Sequence, residues 1–497
     1  MLSFIDSINI SEIGKQLLYN PQQPLLFNTG LFLLLFAAFY GIYYLLRNVR
    51  VLRMGVTILF SLYFYYKSSA ECCLLLLAIC GIDYLLGNLM GMLSTRRARL
   101  GVVVASLLLN LGLLIYFKYF NLLLSTWASM SGADFEPLSI ILPAGISFIT
   151  FRSISYIIDV YRGDTLPERN ILNYIFALTF FSPLLAGPVV RARDLLPQIR
   201  KPLSITNAMV NEGFILIMCG LIKKVVVADY ISCNFVNRIF DNPALYSGFE
   251  NLMGCFGFTI QIYCDFSGYS DMAIGLALLL GYRFKQNFDA PFKAQNPSEF
   301  WRRWHISLST WLRDYLYFPL GGSRCSKLRT YFNNFITMVL GGLWHGASWM
   351  YLLWGAYQGL LLVLHKMVKS IHIAPAFLRG TLAARIFNIC ITMALSLVGF
   401  VIFRADSIEK LSVIFEQIFC NFHASVIGQF VAGYPLIVVA IVAGYVMHYL
   451  PTSWNSRVVT LYGSMPAVVR GLILALVIFI AIQARSSDLV PFIYLQY

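Results

Sequence analysis

Residues 25–46 carry no charged side chain, and neither do 101–117, 386–403 and 471–484. A helix needs about 20 mainly apolar residues to cross the hydrocarbon core of a bilayer. Further apolar runs lie at 52–66, 72–93, 138–161, 207–230, 251–282, 331–364 (as two elements) and 429–447. The expectation is an all-α polytopic membrane protein with roughly ten to twelve transmembrane helices, plus re-entrant and interfacial pieces. Composition agrees: charged residues make up 12% against about 25% in soluble domains, and mean hydropathy is +0.71. A soluble enzyme, a disordered chain and a secreted disulfide scaffold are all excluded. No long polar linker interrupts residues 1–497, which read as one domain.

The chain has 37 Lys and Arg against 23 Asp and Glu, a net charge of +14. These basic residues sit in short loops between apolar runs, which marks a cytoplasmic face over anionic lipid rather than nucleic-acid binding. Arg47, Arg50 and Arg53, then Arg96, Arg97 and Arg99, place two loops on that side and the N-terminus outside. Loop 125–137, with Asp134 and Glu136, is then outside too. Residues 1–24 are too polar for a signal peptide; Ile5, Ile8, Ile13, Leu17 and Leu18 suit a helix lying on the membrane. Segment 172–190 is flanked by basic residues at both ends, and Pro183, Gly187 and Pro188 break it. It reads as re-entrant, the alternative being a kinked but complete span. The ten cysteines form no CxxC pair, so they read as buried hydrophobes, with no metal site and no disulfide framework.

Chemistry concentrates in residues 298–355, which hold six of the eight tryptophans. On one helix, Trp301, His305 and Ser309 would share a face. Arg302, Arg303 and Arg313 are too charged to face lipid, so this segment belongs at the interface or along a polar cavity. Together with Arg324 they suit a phosphorylated donor, because guanidinium forks match phosphate oxygens. Taken singly, Arg324, Lys327 and Arg329 fit a solvated positive-inside loop equally well. His345 lies in VLGGLWHGASWM, with no other charged or imidazole side chain between Arg329 and His365. A histidine this deep in an apolar run is a functional candidate, and a neutral imidazole there is suited to general-base work on a hydroxyl. No GxSxG or Ser-His-Asp pattern offers a serine nucleophile. His365, His372, His423 and His448 read as interfacial. Asp265 and Asp271, in the run 251–282, need partners such as Arg or His; they either brace the histidine site or bind helices together.

Six stretches carry a resemblance to a known family: FFSPLLAGPVVRARDLLPQI (180–199), YCDFSGYSDMAIG (263–275), FWRRWHISLSTWLRDYLYFPLGG (300–322), LWHGASWMYLLWG (343–355), FRA (403–405) and PFIYLQY (491–497). The chain resembles the membrane-bound O-acyltransferase family, in particular its bacterial branch typified by the membrane subunit of alginate O-acetylation. The resemblance implies tilted helices around a central funnel open to the cytoplasm. It places the paired histidines at His305 and His345, with His345 the catalytic one. It also implies no bound cofactor: acetyl-CoA or another acyl thioester is a co-substrate, and the acyl group passes to a periplasmic transferase or an extracytoplasmic polysaccharide at the inner membrane. Gln358-Gly359 departs from the His-Gly of many members, so no third histidine carries over.

The sequence therefore points to an O-acyltransferase. Arg302, Arg303, Arg313 and Arg324 anchor the donor, with Trp304, Ser309 and Trp344 also at the substrate. Trp301, Trp304, Trp344 and Trp349 wall out water, and Asp265, Asp271 and Trp301 support the histidines. The competing readings are a transporter or flippase with a His/Asp proton relay, and a non-catalytic export scaffold. The lack of an internal repeat counts against the transporter.

Overall fold

The computed structural model describes residues 10–371, 380–451, 453–484 and Phe492, and these residues are helical with no strand among them. They divide into two compact units, one of residues up to Ala186 with Val190–Ser204, the other of Gly187–Val189 with Ile205 onward. Among the described residues, four helices are long and apolar enough to cross a membrane: Cys73–Met92, Arg96–Ser131, Leu382–Arg404 and Ala467–Ala484. Val426–Gly433 and Pro435–Tyr449 make a fifth if taken together, although they are bent by 89°. Pro435 forces that bend, since it supplies no N–H to a continuing helix.

In the first unit, Phe181 lies in a ring of phenylalanines from the chain around Phe27 and the helices Gly30–Leu45 and Arg50–Tyr66, at 5.0 Å from Phe60 and 6.1 Å from Phe39. The Ser61 hydroxyl accepts the Phe181 N–H at 3.1 Å, so this non-helical backbone is satisfied deep inside the unit. The segment expected to be re-entrant contains only a nine-residue helix, Ile171–Thr179, and continues as irregular, buried chain through Val190. Two expectations shift here. The run 101–117 belongs to a 36-residue helix, Arg96–Ser131, which absorbs the first half of the expected outer loop. The run 138–161 becomes helical only at Ile146. Arg53 is not a free loop charge either; it is buried, and its guanidinium donates to the Arg47 carbonyl. Of the expected membrane-surface helix, Ile10–Leu17 is helical; Ile5 and Ile8 lie outside the described residues.

In the second unit, Gly248–Leu279 starts at a capping box of Ser247 and Glu250 and packs against Asn207–Leu221. Each helix carries glycines where the other's backbone approaches, and a Cβ at Gly220 would sit 2.5 Å from the Gly268 carbonyl. Asn207–Leu221 runs on into a wider-turned π segment, Ile222–Asp229, of the kind that often marks functional positions. The run 331–364 is indeed two elements, Lys327–His345 and Trp349–Ile371, joined by residues 346–348. Of the ten cysteines, Cys72, Cys80, Cys255 and Cys264 are buried as expected, whereas Cys219, Cys325, Cys390 and Cys420 are exposed.

Candidate active site

His345 is the last residue of Lys327–His345, at the tip of the helical hairpin. The two arms meet backbone to backbone: a Cβ on Gly342 would lie 2.3 Å from the Tyr351 carbonyl oxygen, and one on Gly355 would lie 2.6 Å from that of Met338. Only glycine permits that approach. The imidazole is 4% exposed. Its ring lies 5.0 Å from Trp344, 5.0 Å from Trp354 and 5.3 Å from Phe403, the last two edge-on. The partly negative C-terminal end of its helix favours positive charge developing on the ring during proton uptake.

The stretch 298–322 is not one helix. Pro297–Arg303 starts on an Asn296 side-chain cap and stops; Trp304 is extended, and His305 takes the left-handed conformation at φ +43 before Ile306–Leu312 begins. Trp301, His305 and Ser309 therefore do not share a helix face, which corrects the spacing-based expectation. A non-glycine residue in this conformation is strained, and such strain persists where the surroundings enforce it. Here Asn287 enforces it. Its backbone carbonyl accepts the Ile306 N–H at 2.8 Å, and its Oδ1 accepts the Ser307 N–H at 3.1 Å and the Ser307 hydroxyl at 2.8 Å.

The same Oδ1 lies 3.2 Å from His305 Nδ1. An atom that accepts a backbone N–H is the amide oxygen, so His305 Nδ1 must carry the proton that it shares with Asn287. Its Nε2 then holds the lone pair. Burial pushes the imidazole down to about 3, so His305 is neutral at ordinary pH. Phe266 meets His305 edge-on at 4.5 Å, and Trp344 lies 6.3 Å from it. Trp344 is thus a ring neighbour of both histidines.

Of the four tryptophans expected to wall out water, three are buried and one is not. Trp301, Trp304 and Trp344 are buried, but Trp349 is 61% exposed, because it starts its helix on the outward side. Trp354, five positions on, takes the inward place and reaches both His345 and Trp301, the latter at 5.9 Å. Trp304 stacks on Phe300 at 5.6 Å, and the Ser309 hydroxyl donates to the Trp304 carbonyl at 3.1 Å. Arg302 and Arg324 are exposed. Arg303 is tied to Glu299 at 2.9 Å and Asp289 at 3.2 Å, and Arg313 to Asp314 at 2.7 Å.

Asp265 and Asp271 find lysines rather than arginine or histidine. Lys223 pairs with Asp271 at 2.7 Å; Lys224 pairs with Asp265 and, at 2.8 Å, with Asp229. The adjacent lysines inside the apolar run 207–230 were the overlooked sequence signal. Phe492 lies over Lys224 at 4.5 Å and against Tyr269 at 4.2 Å; the rest of PFIYLQY lies outside the described residues. Of the four remaining histidines, His423 is exposed and His365 half-buried, while His372 lies outside the described residues. His448 is packed inside the protein: it is 4% exposed, stacks on Phe292 at 4.7 Å and accepts the Phe292 N–H.

The family model described as MBOAT, membrane-bound O-acyltransferase family, matches residues 168–403. The chain is 40% identical to the probable alginate O-acetylase AlgI of Pseudomonas aeruginosa, over 80% of this chain and 75% of that protein. It is 31% identical to the peptidoglycan O-acetyltransferase of Helicobacter pylori, over 78% of each. It is 28% identical to the teichoic acid D-alanyltransferase of Bacillus subtilis, over 54% of this chain and 70% of that one.

Proposed function

The chain belongs to the membrane-bound O-acyltransferase family, and from that premise we propose that it moves an acetyl group from a cytoplasmic thioester, acetyl-CoA in the simplest case, to a hydroxyl of an extracytoplasmic polysaccharide or of a partner transferase. It is an O-acyltransferase and a multi-pass membrane protein. The observation that carries the finer reading is the pair His305 and His345, both buried and both against Trp344 in an aromatic shell.

In the proposed reaction, His345 takes the proton of the acceptor hydroxyl and the oxygen attacks the thioester carbonyl carbon. The C–O bond forms, the C–S bond breaks, and the leaving thiolate receives the proton from the imidazolium. The lone pair of His305 Nε2 orients a hydroxyl, and Asn287 keeps that nitrogen unprotonated. Trp301, Trp304, Trp344 and Trp354 keep water from the thioester, which would otherwise hydrolyse. Exposed Arg302 and Arg324 are free to meet the donor's phosphates, with Arg303 and Arg313 joining if they exchange their carboxylate partners.

The same reading puts the protein in the bacterial inner membrane with ten to twelve crossings and an outward N-terminus. Residues 10–24 lie along the surface, and 172–190 dip in and return. Nine helical residues rise about 14 Å, under half of the roughly 30 Å core, which supports the re-entrant path. The acceptor chemistry of the relatives, alginate and peptidoglycan, supports a polysaccharide.

The test is acetyl transfer from labelled acetyl-CoA by membranes holding the parent or His345→Ala, with alginate oligosaccharides and peptidoglycan fragments offered separately. The expected result is label on one acceptor with the parent, and none with a variant that accumulates normally and still binds acetyl-CoA. Undiminished transfer by His345→Ala overturns the assignment.

A further inference from the structure

The wall beside His345 carries two hydrogen-bond donors with nothing to bond to. The indole nitrogens of Trp301 and Trp354 are both buried, and neither has a hydrogen-bond partner among the described residues. The residues are 8% and 4% exposed. A buried indole N–H ordinarily finds an acceptor, and an orphaned one in a native structure calls for an explanation. These two are neighbours. Their rings are 5.9 Å apart at 69°, and Trp354 meets the His345 ring at 5.0 Å and 89°. They come from different elements, Pro297–Arg303 and Trp349–Ile371, which pack against each other, and Trp354 carries the contact on to His345. Phe403, which also meets both His345 and Trp354, offers no polar atom.

We propose that the indole N–H groups of Trp301 and Trp354 form the donor pair that receives the acyl carbonyl oxygen when His345 drives attack on the thioester. This rests on the acyl-transfer reading above and goes beyond it by naming the groups that stabilise the charged intermediate. As the acceptor oxygen bonds to the carbonyl carbon, the carbonyl π electrons move onto oxygen, and the two N–H groups donate to that oxyanion. When the C=O bond re-forms, the C–S bond breaks and the thiolate takes the proton from His345. Donors fixed in a dry wall need no rearrangement as the charge appears, and this makes such pairs effective. The arrangement also explains why these wall positions carry tryptophan: phenylalanine would exclude water equally well but would donate nothing.

Trp301→Phe and Trp354→Phe keep most of the ring and remove the N–H. Each is expected to lower kcat by about 10²–10³-fold, the usual effect of losing one oxyanion donor, with the KM for acetyl-CoA changed only a few-fold. Infrared spectra of carbonyl-¹³C acetyl-CoA bound to the parent protein should show the carbonyl band below its position in buffer, and the band should rise in each variant. That readout does not move if the tryptophans only pack. A bound band in the parent at its free position overturns the proposal, even if a variant fails to fold. So do Phe variants that turn over within about three-fold of the parent. If His345→Ala abolishes transfer while both Phe variants remain active, the donor pair alone fails. If the parent itself transfers no acetyl group, the functional reading fails first.

Discussion

Asn287 Oδ1 stands 3.2 Å from His305 Nδ1 while also accepting the Ser307 backbone N–H, so one amide fixes both the ring's proton and the left-handed turn that carries it. Removing it frees both. Asn287→Ala is expected to slow acetyl transfer about 10–100-fold, the usual scale for losing a partner that orients a site group. In a His305→Ala background the same change should add nothing, because the two act as a unit. Thiol release from acetyl-CoA measures both; additive losses would separate Asn287 from His305.

Burial holds the His305 imidazole at about 3, against 6.5 for an unperturbed ring. The unfolded chain therefore binds the proton more readily than the folded one between those values. Stability from this position is complete above about pH 6.5 and declines as pH falls towards 3. His305→Asn, which suits the left-handed backbone, should flatten the acid side of the curve. Thermal unfolding in detergent from pH 7 to pH 4 measures it, and an unchanged acid slope counts against a neutral buried ring.

Lys224 is fully buried and ion-paired with both Asp229 and Asp265. Replacing it with methionine strands those carboxylates, a change that costs about 3–5 kcal/mol when one side of a buried pair is removed. Lys224→Met should accumulate poorly, and adding Asp229→Asn with Asp265→Asn should recover much of the loss. Membrane yield and unfolding temperature report both. Normal accumulation of the single variant would mean that water reaches this cluster.

Gly342→Ala pushes a methyl group against the Tyr351 carbonyl oxygen. Overpacking of this kind costs about 1–3 kcal/mol, and here it also displaces His345. The expected result is a lower unfolding temperature together with a fall in kcat. A variant with parental stability and activity would show that the two helices can separate cheaply.

The apolar runs and His345 were legible because each depends on local composition: a run either contains charges or does not. The helix break at His305 was not. It has no glycine or proline at the break, and its cause is Asn287, eighteen residues earlier in an irregular loop with no periodicity to read. Trp349 and Trp354 exchanged roles because the start of Trp349–Ile371, rather than tryptophan content, decides which side faces inward. The lysine partners of Asp265 and Asp271 were visible as residues but not as partners, since pairing across helices leaves no mark in spacing.

The hairpin that ends at His345 has a mechanical consequence. Two helices in contact through carbonyl oxygens at Gly342 and Gly355 cannot slip along each other, because the first Cβ to arrive would collide with backbone. The imidazole is therefore a stationary post rather than a moving arm. Whatever opens and shuts during a catalytic cycle has to be found in other segments, and thioester and hydroxyl must both travel to a point that does not come out to meet them.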